Sequence, residues 1–355
     1  MLHHRRATLV VIALSLAVLV VPAIARGEIV LPPGFTMQTY VTGEGFDTSE
    51  RGARGLPSSS TLAIDNAGVL YLARTGRRYA TGEVDDLWPV YRIPPGGAKV
   101  TKASESRFLY GPPLPSAQIA GLRGGRELLV STFDRDRKVG VLYLLTDGYA
   151  ELLAGGTPPR GAAPVLLQPE GAAADAAGNV YVADRAQDRV VKLGPRGGIL
   201  DLERVSVKRP RVLATGHDGA LWIAADGTAE APWQRGPGEI WRVAGDNPPA
   251  LLLRGPVAAG MGVSATGHLF VADRQAPEIF ALAPDGARVP FATFTDNDAP
   301  RGLAFAPVTP ETERAGIAGS LFLIFISRGA WPVNEVVRIS GPFERYLRER
   351  AASGK

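Results

Sequence analysis

Three carboxylates and a set of arginines carry most of the chemistry this sequence can offer. Glu170 stands in Pro169-Glu-Gly171, and Asp184 and Asp273 each end a Val-Ala-Asp run. Carboxylates brought together from separate strand ends supply the hard oxygen ligands that hold a divalent cation such as Ca²⁺, Mn²⁺ or Zn²⁺. The competing reading is structural: an Asp at a strand end caps the next turn through backbone N–H groups, and Glu170 can simply be solvated. Arg74, Arg185, Arg211, Arg274, Arg301 and Arg328 fall at comparable strand ends. Guanidinium forks bind carboxylate or phosphate bidentately, so this set suits a small polar or anionic ligand. Its bland alternative is pairing with neighbouring Asp residues on the rim; Asp226 falls among the same strand exits. Trp88, Trp233 and Trp331 lie in Pro/Gly-rich inserts, where an indole can stack on a sugar.

A repeated unit must position these side chains. Val180-Tyr-Val-Ala-Asp184 follows Asp175-Ala-Ala-Gly-Asn179, and Leu269-Phe-Val-Ala-Asp273 follows Ser264-Ala-Thr-Gly-His268. The same shape recurs at 62–73 and 214–224, with weaker copies at 126–130 and 319–324. Each copy reads as an apolar strand, a tight Asp/Asn/Gly turn and a second alternating strand, which is a hairpin pattern. A third strand follows in every unit, from Val90–Ile93 to Glu335–Ile339. Tyr71, Leu129, Tyr181, Trp222, Phe270 and Phe322 mark the same strand, and their spacing is that of four-stranded propeller blades. The fold class is therefore all-β, a six-bladed β-propeller. Gly34–Val41 alternates like a strand and is the candidate to close the last blade. The functional loops then converge on one mouth of the central channel. Inserts at 75–89 and 226–238 wall that mouth, and the insert at 307–318 belongs to the opposite rim.

Bulk composition agrees. Of 355 residues, 42 are Gly and 29 Pro, favouring turns and short strands over long helices. With 45% hydrophobic and 21% charged residues the chain is globular. A net charge of +4 with both signs interspersed gives no nucleic-acid footprint. Zero Cys excludes disulfides, thiolate metal sites and Cys nucleophiles. His3, His4, Arg5 and Arg6 precede an apolar run from Ala7 to Val21, and Ala23-Ile-Ala25 supplies a small-x-small cleavage pattern. Residues 1–25 thus read as a signal peptide, 26–345 as the propeller and 346–355 as a tail, in a periplasmic or secreted protein. The rival is an uncleaved anchor, although the run is shorter than the roughly 20 residues a span needs. No second apolar span follows, so stable membrane insertion is not expected of the mature chain. No nucleophile elbow, P-loop or dinucleotide fingerprint occurs.

The segment Pro169 to Asp184 with Gln187-Asp-Arg-Val-Val-Lys192 resembles an NHL repeat. Leu31-Pro-Pro-Gly-Phe35, Ala299-Pro-Arg-Gly-Leu-Ala-Phe305 and Arg328 to Ile339 resemble the opening and closing segments of the glucose/sorbosone quinoprotein sugar dehydrogenases. That resemblance implies a pyrroloquinoline quinone (PQQ) cofactor and a His base, yet Arg328 stands where the His is usual. After signal removal only His217 and His268 remain, both in Asp/Gly turns away from the mouth. Resemblance to the gluconolactonase-like propellers implies instead a metal-dependent lactone hydrolase centred on Glu170, Asp184 and Asp273, in which the metal polarises the carbonyl and activates water. The Pro-Asn-Gly unit that would supply an Asn ligand is replaced by Pro300-Arg-Gly302. NHL propellers also imply a protein partner at the rim.

Overall fold

A computed structural model describes residues 29–43, 54–56, 59–74, 87–134, 137, 139–228, 236–295, 299–327 and 333–353. Its strands form six blades around a channel. Blade 2 (Gln118–Arg123, Glu127–Asp134, Val139–Thr146, Tyr149–Gly155) is a simple antiparallel meander, inner strand first. Blade 3 repeats it with Pro169–Ala174, Val180–Asp184, Arg189–Leu193 and Ile199–Ser206. Blade 4 does so with Pro210–Thr215, Leu221–Ala225, Gly238–Val243 and Ala250–Gly255. In blade 5 (Ala258–Val263, Leu269–Asp273, Glu278–Leu282, Arg288–Phe294) the outer strand also pairs with Ile29–Val30.

The ring closes as the alternation of 34–41 implies. Thr36–Gly43 adds to blade 6 (Ala299–Phe305, Leu321–Ser327, Val333–Ser340), pairing Thr36 with Ser340 and Val41 with Val336. Blade 1 departs from the four-strand expectation. Its sheet holds Ser59–Ile64, Leu70–Arg74 and Val90–Ile93, edged by two backbone bonds, Arg92 N to Phe108 O and Tyr110 N to Val90 O. The next strand, Ala98–Val100, crosses to blade 6 and pairs in parallel with Thr36–Gly43. A Pro94-Pro-Gly-Gly97 turn sends it there: Gly97 has φ +80°, and any Cβ would lie 2.1 Å from the Tyr40 carbonyl oxygen.

The inner hairpins of blades 1 and 3 turn on an Asp. Asp65 Oδ1 accepts from Ala67 N and Val69 N, and Asp175 Oδ1 accepts from Ala177 N and Asn179 N. The six hydrophobic clusters each span two neighbouring blades; one joins Ala173 and Val190 of blade 3 to Leu213 and Ile223 of blade 4. A second strand is thus buried on both faces, which is why Leu221–Ala225 and Leu269–Asp273 read as continuous apolar runs. Tyr71, Trp222, Phe270 and Phe322 are core residues there, not ligand contacts.

Helix Phe343–Ser353 packs on the junction of blades 5 and 6, with Leu347 buried and Phe343 against Phe35. The boundary drawn at residue 345 falls inside this helix. The 307–318 insert carries a short helix, Pro310–Arg314, capped by Thr309, whose Oγ1 bonds Asn66 O in the blade 1 turn. It therefore lies at the rim opposite the strand starts. None of the described helices is long and apolar enough to cross a membrane.

Candidate functional site

Pairing of each inner-strand start with a second-strand end builds the mouth. Pro169 faces Asp184, Pro210 faces Ala225, and Ala258 faces Asp273. The residues just beyond these pairs, Arg185, Asp226 and Arg274, therefore occupy equivalent places in blades 3, 4 and 5. The inner strands approach closely because glycine stands where they touch: a Cβ on Gly171 would lie 2.6 Å from Arg211 O. The channel between them encloses about 300 Å³ and is lined by Glu170 and Arg211 at the mouth and by His217 and Phe305 towards the far end.

The three carboxylates proposed as metal ligands do not converge. Asp184, fully buried, accepts from Leu167 N (3.0 Å), Gln168 N (2.9 Å) and the Gln187 side chain. Asp273 accepts from Val257 N (3.2 Å) and Gln275 N (2.8 Å). Both clamp the entry loop of their own blade. Glu170 alone reaches the channel, and both of its oxygens face guanidinium groups. Arg185 Nε lies 3.6 Å from Oε1, Arg211 Nε lies 3.2 Å from Oε2, and Gln168 Nε2 also donates to Oε1. No group of three or more His, Asp or Glu able to share a metal ion occurs among the described residues.

Asp226 completes a quartet. It is 1% exposed; Arg185 Nη2 is 3.1 Å from its Oδ2 and Arg211 Nη1 is 3.8 Å from its Oδ1. Each arginine thus touches both acids, and the four charges cancel across blades 3 and 4. In the sequence Asp226 is legible only as a neighbour of the arginines. The overlooked signal is that the aligned position after the second strand reads Arg185, Asp226, Arg274, one acid between two bases.

Among the described residues Arg274 has no such partner. Its Nη2 is buried without a hydrogen-bond acceptor. Burial, and then the nearby Arg211 and Arg301 charges, pull its pKa down to about 10, against the opposing pull of Asp226 and Glu170. Arg211 ties the two places together, because its Nη1 also reaches Ala258 O (3.4 Å), opposite the residue that precedes Arg274. Arg301 is the third residue of the adjacent inner strand of blade 6, Ala299–Phe305. Trp88 packs against the core between blades 1 and 2. The side chain of Arg74, and Trp233, Arg328 and Trp331, lie outside the described residues.

His217 and His268 sit in the hairpin turns at the far end. His217 Nε2 meets Ser264 O at 3.1 Å and His268 Nδ1 meets Thr266 Oγ1 at 3.0 Å. Burial lowers the His268 pKa. The described part of the mouth holds no imidazole.

Comparison with solved structures places this architecture. A gluconolactonase from Xanthomonas campestris superimposes with TM-score 0.53 at 15% identity, covering 90% of this chain and 99% of that one. A putative gluconolactonase gives TM-score 0.56 at 14% identity, covering 88% and 93%. The PQQ-bound aldose sugar dehydrogenase of Streptomyces coelicolor gives 0.54 at 11%, covering 88% and 99%. The chain shares their propeller fold. At such identities the likeness extends to the scaffold alone. No protein-family model matches the chain, and no curated protein matches it.

Proposed function

We propose that this protein binds a small anionic ligand at the channel mouth, between Arg211 and Arg274. The unpartnered, buried Nη2 of Arg274 carries this reading. A guanidinium without an acceptor in a partly dry site is destabilising, and an anion would relieve it through a charge-assisted bond. The N-terminal pattern supports an exported protein.

Neither family cofactor fits the residues present. A divalent cation would meet an acid already held by two guanidiniums, beside a third arginine, with Asp184 and Asp273 committed to backbone amides. Quinone-dependent sugar oxidation needs a base that the described mouth does not supply, since both imidazoles lie at the other end. We therefore derive no step through either group.

The test is a thermal melt of residues 26–355 with acetate, phosphate, sulfate and, separately, Ca²⁺, Mn²⁺ and Zn²⁺. A ligand at a hundred times its Kd adds about 2.7 kcal/mol. An anion-dependent rise in Tm that is absent in Arg274→Gln is expected. A rise with one metal and none with any anion would overturn the reading in favour of the metal-dependent hydrolase.

Ligand-free Arg274→Gln should also be more stable than wild type by about 1 kcal/mol, once solvent screening at the half-open mouth is discounted. A base whose folded pKa is depressed carries its penalty below that pKa and sheds it as pH rises through it. The stability gap between the two proteins should therefore be flat at neutral pH and narrow above pH about 10. Urea melts at several pH values check both points.

A rim partner is the second reading. It is favoured by Tyr149, Leu152, Ile199 and Leu200, exposed on the outer strands of blades 2 and 3. Replacing Leu152 and Leu200 together by Ser should abolish capture of a stoichiometric partner from an extract, if the rim is the contact.

A further inference from the structure

A second cavity lies outside the channel, where blade 2 hands over to blade 3. It encloses about 610 Å³, within the range of small-molecule sites. Val139 begins the third strand of blade 2, and Pro158, Pro159, Pro164 and Leu167 come from the connection that leads to Pro169. Both segments lie on the mouth side, one following a second strand and the other preceding an inner strand. Near Pro169 that connection is fastened three times. Leu166 O accepts from Gly140 N and Val165 O from Arg189 Nη2, each at 3.0 Å, and Leu167 N donates to Asp184 Oδ2 at 3.0 Å. Earlier it turns tightly, with Ala162 N donating to Pro159 O (3.0 Å). Three prolines with fixed φ hold the walls, so little order remains to be lost when a ligand enters.

Among the described residues, the polar side chains lining this cavity are Thr157, Arg137 and Arg160. Proline offers no N–H, so the walls favour an apolar body over a polar one. Charge sets the head group. Arg137 Nε lies 3.7 Å from Asp134 Oδ2, in a pair whose side chains are 75% and 38% exposed, and such pairs contribute little. Arg160 has no acid within ion-pair distance among the described residues. An ammonium head would meet two guanidiniums, whereas a carboxylate gains a charge-assisted bond. We infer that this cavity binds an amphiphilic carboxylate, its apolar chain against the prolines and Leu167 and its head on Arg160 and Arg137. The cavity shares no lining residue with the channel, so this site stands or falls apart from the anion reading at the mouth.

Calorimetric titration of the full mature chain with octanoate, butyrate and octylammonium, each below any micellar concentration, is the experiment. Octanoate should bind at least about tenfold more tightly than butyrate, because every further methylene leaves water. It should also bind at least about tenfold more tightly than octylammonium, which matches its chain and reverses its charge. Arg160→Gln should weaken octanoate about fivefold, the upper end for an exposed ion pair, and the double variant with Arg137→Gln should weaken it further. Both side chains are exposed, so ligand-free melts of the variants should match wild type. Equal affinity for octanoate and butyrate would remove the apolar body, and equal affinity for octanoate and octylammonium the carboxylate head; either result overturns the inference. Octanoate binding that the double variant leaves unchanged overturns it too, since the ligand then sits elsewhere. So does a wild-type chain that binds none of the three.

Discussion

Deleting residues 343–355 should cost the propeller about 5 kcal/mol or more, roughly the burial of two large apolar side chains with the cavity they leave. Phe343 and Leu347 are buried in the cluster between blades 5 and 6. Phe343 stacks edge-on against Phe35 at 4.9 Å, Phe35 meets Phe291 at 5.1 Å, and the Tyr346 hydroxyl donates to Pro290 O. Phe35 immediately precedes the closing strand Thr36–Gly43, so the helix fastens the one seam at which the ring is not covalently continuous. Typical domains hold 5–15 kcal/mol in total, and a loss of this size lowers the urea midpoint severely. Deleting only 351–355, beyond the buried positions, should change little. Equal midpoints for the longer deletion and the full chain would show that pairing of Thr36–Gly43 with Val333–Ser340 closes the ring unaided.

The blades were legible because they repeat. Asp175-Ala-Ala-Gly-Asn-Val-Tyr-Val-Ala-Asp184 encodes both a positive-φ turn and a strand buried on both faces, and so local a pattern stays readable in the stronger copies, with weaker ones at 126–130 and 319–324. The crossing of Ala98–Val100 to blade 6 was not legible. It depends on a long-range meeting of Gly97 with Tyr40, which local patterning does not report. The site was half legible. Arg185, Arg211, Arg274 and Glu170 do gather at one mouth, because strand starts and strand ends in a propeller have nowhere else to go. What each carboxylate faces depends on side-chain direction across blades, and there the sequence misdirects: the Val-Ala-Asp residues turn to their own entry loops, while Asp226, in a unit that breaks the pattern, enters the cluster.

Asp226→Asn should destabilise the protein by about 3 kcal/mol, the lower range for breaking a buried ion pair by removing one partner. The wild-type quartet is neutral, with each guanidinium touching both acids. Without the Asp226 charge, Glu170 is left as the acid of the quartet facing Arg185 and Arg211, with Arg274 nearby. Arg185 is then left in a buried place with its acid at 3.6 Å. If the loss comes from unbalanced charge and not from altered shape, removing a base should recover part of it. The double variant Asp226→Asn with Arg185→Gln should therefore be more stable than Asp226→Asn alone, and the coupling follows from a cycle of denaturant melts. The same reasoning fixes a functional sign. Asp226→Asn increases the positive charge around Arg274, so acetate should bind it more tightly than wild type. Stability and anion affinity then move in opposite directions from one substitution. A variant that lost both would show that Asp226 shapes the mouth instead of balancing its charge.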